Sequence, residues 1–160
     1  MLPLFKVYMN KNVQIEVSKT LNSGFITQGP KVEEFENKLK EYFGTELVLS
    51  LNSGTSGLSL ALRLLFEPGN YGEFFENWPG FDKTKDIVLT PALTCFATTA
   101  SILTQDVNIK WLDIEQETCC IDYEDLRTKL DYNTKIIYVV HWGGTPCDIV
   151  KLSSIQDEHF

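Results

Sequence analysis

The feature that most constrains this chain is a rhythm: short apolar runs, each followed by a bend and then by a helical pattern. The runs are Glu46-Leu-Val-Leu-Ser-Leu51, Asp86-Ile-Val-Leu-Thr90, Val107-Asn-Ile-Lys-Trp-Leu112 and Lys135-Ile-Ile-Tyr-Val-Val140. Such runs suit buried strands, the third reading as a strand through its alternation, and strands alternating with helices imply βαβ units in an α/β fold, a mostly parallel sheet flanked by helices. Helical patterns cover Lys11 to Leu21, stopped by Gly24, and a segment opened by Pro30 whose apolar stripe is Val32, Phe35, Leu39 and Phe43, stopped by Gly44. Further helices are predicted from Leu58 to Leu65 (ended by Pro68-Gly69), from Thr94 to Leu103, from Tyr123 to Leu130 with Asp122 as cap, and from Asp148 onward. Asn70 to Lys85 has no period but carries Tyr71, Phe74, Phe75, Trp78 and Phe81. A ring-rich loop of this kind is expected to pack on something, such as a partner subunit or a substrate.

Charge and composition remove several function classes. With 14 basic and 22 acidic side chains the formal charge is -8, which disfavours nucleic acid and anionic membranes as partners. No apolar run nears the ~20 residues of a membrane span, and Met1 to Asn10 lacks the apolar core of a secretory signal. The four cysteines, Cys95, Cys119, Cys120 and Cys147, form no C-x-x-C pair, and there are two histidines, so no metal site is expected. A reducing cytoplasm is the expected location.

In a parallel sheet, ligands bind beyond the carboxyl ends of the strands, which here means the loops 52–57, 90–96 and 141–147. Asn52-Ser-Gly-Thr-Ser-Gly57 joins an apolar run to a helix. Gly54 and Gly57 let the backbone turn tightly and approach a ligand closely, the helix start presents free N–H groups at the positive end of its dipole, and Thr55 and Ser56 add hydroxyls. That donor set suits an oxyanion such as phosphate. The plainer reading of the same residues is an ordinary helix N-cap. The loop matches neither the Walker pattern nor G-x-G-x-x-G, which disfavours nucleoside triphosphates and dinucleotides.

Read with its neighbours, the loop resembles the DegT/DnrJ/EryC1/StrS family of sugar aminotransferases, which use pyridoxal phosphate (PLP). Ile26-Thr-Gln-Gly-Pro30 with Val32-Glu-Glu-Phe-Glu36 resembles the family's T-x-G-P…E-x-E stretch, and Tyr42-Phe-Gly44 continues it. Asn52-Ser-Gly-Thr-Ser-Gly-Leu-Ser-Leu-Ala-Leu62 resembles N-S-G-T-x-A-L-x-L-A-L, and Thr90-Pro-Ala-Leu-Thr-Cys-Phe-Ala-Thr98 resembles T-P-x-x-T-F-x-A-T. Asp113-Ile-Glu115 with Ile121-Asp122 is similar to D-I-d…n-I-D, and Val140-His-Trp-Gly-Gly-Thr-Pro-Cys-Asp148 to V-H-x-x-G-x-x-x-D. The matches stand in order from about residue 24 to about residue 155.

The resemblance implies part of the large domain of the aspartate-aminotransferase (PLP fold type I) fold, with residues 1–160 as one incomplete domain carrying an aromatic insert at 70–85. It implies a homodimer, a nucleotide-linked keto-sugar substrate and glutamate as amino donor. Gly54, Thr55 and Ser56 would hold the PLP phosphate. Where the family places a ring against the pyridine, this chain has Cys95 followed by Phe96, so either the Cys95 sulfur packs on the cofactor, or Phe96 swings in, or Phe96 is core. His141 would lie near the cofactor pocket, or, more plainly, be a half-buried histidine ordering the Gly143-Gly144 loop. Thr27 and Gln28 would border the substrate or the partner subunit.

In the family the carboxylate that pairs with the pyridinium nitrogen sits in an E-D-x-A-H segment, and the lysine that forms the Schiff base follows it. Neither motif occurs in these 160 residues, and Lys110, Lys135 and Lys151 do not match the family's lysine. The 160 residues by themselves are therefore expected to be inactive. A PLP-dependent sugar dehydratase on the same fold, where a histidine replaces the lysine, and a non-catalytic partner-binding module are the alternatives.

Overall fold

The computed structural model describes residues 6–71 and 76–159. Contacts divide the chain into two compact units, 1–51 and 52–160.

The first unit holds α1 (Val13–Ser23) and α2 (Pro30–Phe43), which end at Gly24 and Gly44, both left-handed as the sequence predicts. Neither helix has a buried residue. Ion pairs lace their surface: Glu34 meets Lys31 at 2.8 Å and Lys38 at 2.9 Å, and these two ammonium groups hold its carboxyl down at about 2. The run Glu46 to Leu51, expected as a buried strand, is not one. Leu47 is 91% and Leu49 64% exposed, and no ladder partner pairs with the run among the described residues. An apolar run becomes a strand only where another backbone satisfies its N–H and C=O groups. Here Ser50 donates instead, through its N–H and its hydroxyl, to Glu36 Oε1 at 2.8 and 2.7 Å.

The second unit is a three-layer sandwich. Its parallel sheet has β1 (Ile87–Pro91) at the centre, β2 (Asn108–Leu112) on one side and β3 (Thr134–Ile137) on the other. The register runs Ile87 to Asn108 through Pro91 to Leu112, while β3 pairs with an irregularity between Ile87 and Val88. Successive strand side chains point to opposite faces, so Val88 and Leu89, both fully buried, serve different cores. Val88 packs with Leu62 and Phe66 of α3 (Gly54–Phe66) and Ile102 of α4 (Phe96–Leu103). Leu89 packs with Leu112, Ile121, Tyr123 and Leu126 of α5 (Tyr123–Lys129) and Ile155 of α6 (Ile149–His159). A central strand covered on both faces explains why β1 reads as one continuous apolar run.

The described part of the aromatic insert packs on this chain's own α3. Trp78 Nε1 donates to Leu65 O at 2.5 Å, Tyr71 donates its hydroxyl to Leu64 O, and Phe81 N–H donates to Phe66 O at 3.2 Å. The Phe66 and Phe81 rings meet edge to face at 4.7 Å. These donors serve the last carbonyls of α3, which no helical N–H can reach. Gly80 makes the approach possible: it sits at φ +79°, and a Cβ there would lie 2.9 Å from Phe66 O. Phe74 and Phe75 lie outside the described residues.

Candidate functional site

The loops expected to carry chemistry are those that follow the apolar runs, and the first of them is largely helix. α3 begins at Gly54, so Thr55 and Ser56 occupy its opening turn, and Ser53 is the N-cap. Ser53 Oγ accepts the Ser56 N–H at 3.1 Å, and Ser53 O accepts the Gly57 N–H at 3.2 Å. Ser56 Oγ–H donates to Asn52 Oδ1 at 2.8 Å, which leaves Ser53 as the donor in the 2.9 Å contact between the two hydroxyls. The N–H groups of Gly54 and Thr55 and the Thr55 hydroxyl have no partner among the described residues. A Cβ built on Gly54 would meet nothing within 4 Å, so a side chain at this position has room.

The donor chemistry thus fits an oxyanion: two backbone N–H groups and one hydroxyl at the positive end of a thirteen-residue helix. The N-cap reading and the anion reading hold together, because the cap uses the third amide and leaves the first two. Asn52 and Ser53 are the residues that motif reading passed over. For Ser53 a signal was present, since Ser directly before an apolar helix is a preferred N-cap.

At the end of β1, Thr90 Oγ1 and, in the following bend, Thr94 Oγ1 are buried without a hydrogen-bond partner among the described residues. Cys95 is the exposed N-cap of α4, and Phe96 is 75% exposed. Phe96 is therefore not core, and its ring is available for stacking. His141 is exposed rather than half-buried. Its Nδ1 accepts the Cys147 N–H at 3.0 Å and its carbonyl accepts the Gly144 N–H at 3.1 Å, so it orders the 141–147 loop and carries its ring proton on Nε2. Past β3 the half-buried residues 138–140 lead to His141 and the exposed 3₁₀ turn Trp142–Gly144. Thr27 and Gln28 are exposed in the bend before α2, in the first unit.

Lys110 and Lys151 are committed elsewhere. Lys110 Nζ binds Lys129 O at 2.9 Å and Asp131 at 3.0 Å, an interaction that lowers the Asp131 carboxyl, and Lys151 Nζ lies 4.4 Å from the centre of the Tyr123 ring. Lys135 is exposed on β3.

The cysteines differ sharply. Burial, with the Cys120 thiol beside it, pushes Cys147 up to about 11. A buried neutral thiol is a poor nucleophile. With a disulfide reagent at pH 8, native protein is expected to label at Cys95 within minutes, and at Cys120 and Cys147 only at the rate of unfolding. Prompt labelling of Cys147 in folded protein would contradict this packing.

No helix among the described residues is long and apolar enough to cross a membrane. The model of the DegT/DnrJ/EryC1/StrS aminotransferase family matches residues 7–160. Spore coat polysaccharide biosynthesis protein SpsC of Bacillus subtilis is 30% identical over 99% of this chain and 37% of its own length. Sugar aminotransferase CalS13 from Micromonospora echinospora is 37% identical with a TM-score of 0.82, over 99% of this chain and 39% of that one. Spr1654 from Streptococcus pneumoniae, solved in a PLP form, is 30% identical with a TM-score of 0.79, over 98% of this chain and 36% of that one. The chain spans less than two-fifths of the length of each of these relatives. With its motifs in order, its parallel sheet and its matched span in agreement, the chain belongs to the DegT/DnrJ/EryC1/StrS aminotransferase family.

Proposed function

We propose that these residues form the phosphate-holding front portion of a PLP-dependent aminotransferase acting on a nucleotide-linked keto-sugar, with glutamate as amino donor. The observation that carries this reading is the pair of N–H groups, Gly54 and Thr55, that have no partner among the described residues at the head of α3. PLP supplies the electron sink for amino-group transfer. This chain's residues do the holding: Gly54 and Thr55 bind the phosphate through backbone N–H groups, with the Thr55 hydroxyl and that of Ser56 beside them. Phe96 or Cys95 packs against the ring, and His141 keeps the neighbouring loop in place. Thr27 and Gln28 border the substrate or a second subunit of a cytoplasmic homodimer. The pyridinium-pairing carboxylate and the reactive lysine come from sequence that these 160 residues do not include.

The test is calorimetric titration of the 160-residue protein with pyridoxamine phosphate and with pyridoxamine. The phosphate ester is expected to bind and the alcohol to bind at least tenfold more weakly, as follows from losing ~1.4 kcal/mol or more of charge-assisted hydrogen bonding. Equal affinity for the two would end the phosphate reading. The coding sequence after the Phe160 codon separates the two chemistries: a lysine following E-D-x-A-H supports the aminotransferase, and a histidine in its place supports the sugar dehydratase.

A further inference from the structure

The phosphate reading of α3 leaves Asn52 without a role, yet Asn52 accepts the hydrogen bond that a bound phosphate would want from the Ser56 hydroxyl. Every hydroxyl proton in the cap can be followed. The Ser56 N–H goes to Ser53 Oγ, the Ser56 hydroxyl goes to Asn52 Oδ1 at 2.8 Å, and the Ser53 hydroxyl is left to donate to Ser56 Oγ at 2.9 Å. The network is closed, so neither serine has a proton free for a ligand. The open donors are the Gly54 and Thr55 N–H groups and the Thr55 hydroxyl. Asn52 is itself exposed, and its side chain receives no backbone N–H of the helix, since Ser53 makes the cap.

Resting on the proposed phosphate site, we infer that Asn52 is a specificity residue that competes with the ligand for the Ser56 hydroxyl's hydrogen bond. In the free protein its carboxamide oxygen accepts that bond. A phosphate ester recruits the Ser56 hydroxyl only by outcompeting Asn52, which a doubly charged oxyanion does better than a neutral or singly charged acceptor. No covalent bond changes; one hydrogen bond exchanges its acceptor. The consequence is a weaker hold than the residues alone would give and a sharper preference for fully ionised phosphate esters.

The sign of the effect is the test. Removing a residue that positions a donor weakens binding; removing a competitor tightens it. Pyridoxamine phosphate, which has no aldehyde to react with lysines, is titrated calorimetrically into the wild type, Asn52→Ala, Ser56→Ala and the double variant. Asn52→Ala is expected to tighten binding about two- to tenfold, the worth of one net hydrogen bond. In the Ser56→Ala background the same change is expected to do nothing, because the contested proton is gone. Asn52→Leu, of similar size but without an acceptor, is expected to repeat the tightening, and circular dichroism confirms that α3 is intact.

Weaker binding in Asn52→Ala would mean that its carboxamide donates to the anion, and would overturn the inference. So would tightening that persists without the Ser56 hydroxyl. A wild-type protein with no phosphate-dependent binding is a different result: it removes the phosphate site itself, and the role of Asn52 with it.

Discussion

Gly54→Asp is expected to eliminate phosphate-ester binding while leaving the fold as stable as before, or slightly more so. The two effects come from the same electrostatics with opposite consequences. The new side chain has room, since a Cβ at Gly54 meets nothing within 4 Å. A carboxylate in the first helical turn interacts favourably with the helix dipole, worth ~0.3–1 kcal/mol, and replacing Gly inside a helix adds a few tenths more. On the proposed phosphate reading, that carboxylate also lies beside the oxyanion's seat. Two like charges ~4 Å apart near a protein surface repel by about 4 kcal/mol, which is roughly a thousandfold in affinity. Thermal melting should therefore show an unchanged or raised midpoint, and calorimetry no measurable binding of pyridoxamine phosphate. Gly54→Ala adds bulk without charge and separates the two causes: it is expected to retain most of the affinity. If the Asp variant binds like the wild type, the anion is not seated at the head of α3.

The parts of the fold that were readable in the sequence are those decided locally. Gly24 and Gly44 end helices because a left-handed residue ends a helix wherever it occurs, and Asp122 caps α5 by accepting the Glu124 and Asp125 N–H groups at 2.8 and 3.1 Å. β1 was readable because a run buried on both faces has no polar alternation to confuse it. Glu46 to Leu51 has the same apolar signature and fails as a strand, since a strand is a property of a pair and the run itself does not say what it pairs with. The insert was legible as something that packs, but not as packing on α3, because the match between Trp78, Tyr71 and the last carbonyls of that helix exists only in three dimensions. For the candidate site, residue types suggested donors suited to an anion and left the ownership of each proton unstated. Asn52 looks like loop filler until the hydrogen bonds are followed. His141 was legible as a residue ordering its loop, through the Cys147 N–H, but its exposure was not.

Leu89→Ala is expected to cost the second unit about 2–5 kcal/mol, the usual range for emptying a buried leucine site. Leu89 is fully buried on the central strand, packed among Leu112, Ile121, Tyr123, Leu126 and Ile155, and it is the point where both neighbouring strands and two helices meet one side chain or its backbone. Its carbonyl accepts the Tyr138 N–H at 2.7 Å, so main-chain shifts to fill the cavity would break a bond that continues the chain toward His141. The site cannot collapse cheaply, which places the cost in the upper part of that range. Against a total stability of ~5–15 kcal/mol for a domain, such a loss moves a large share of the protein toward unfolding near physiological temperature. Urea denaturation should show a lower midpoint with an unchanged slope, because the surface exposed on unfolding is nearly the same. Leu47→Ala is the internal control: at 91% exposure it is expected to change stability by no more than ~0.5 kcal/mol. Below the variant's own midpoint, pyridoxamine phosphate should bind the remaining folded Leu89→Ala protein with wild-type affinity, since its donors lie on α3, which packs on the opposite face of the sheet. A weakened affinity per folded molecule would mean that the two cores are coupled through β1.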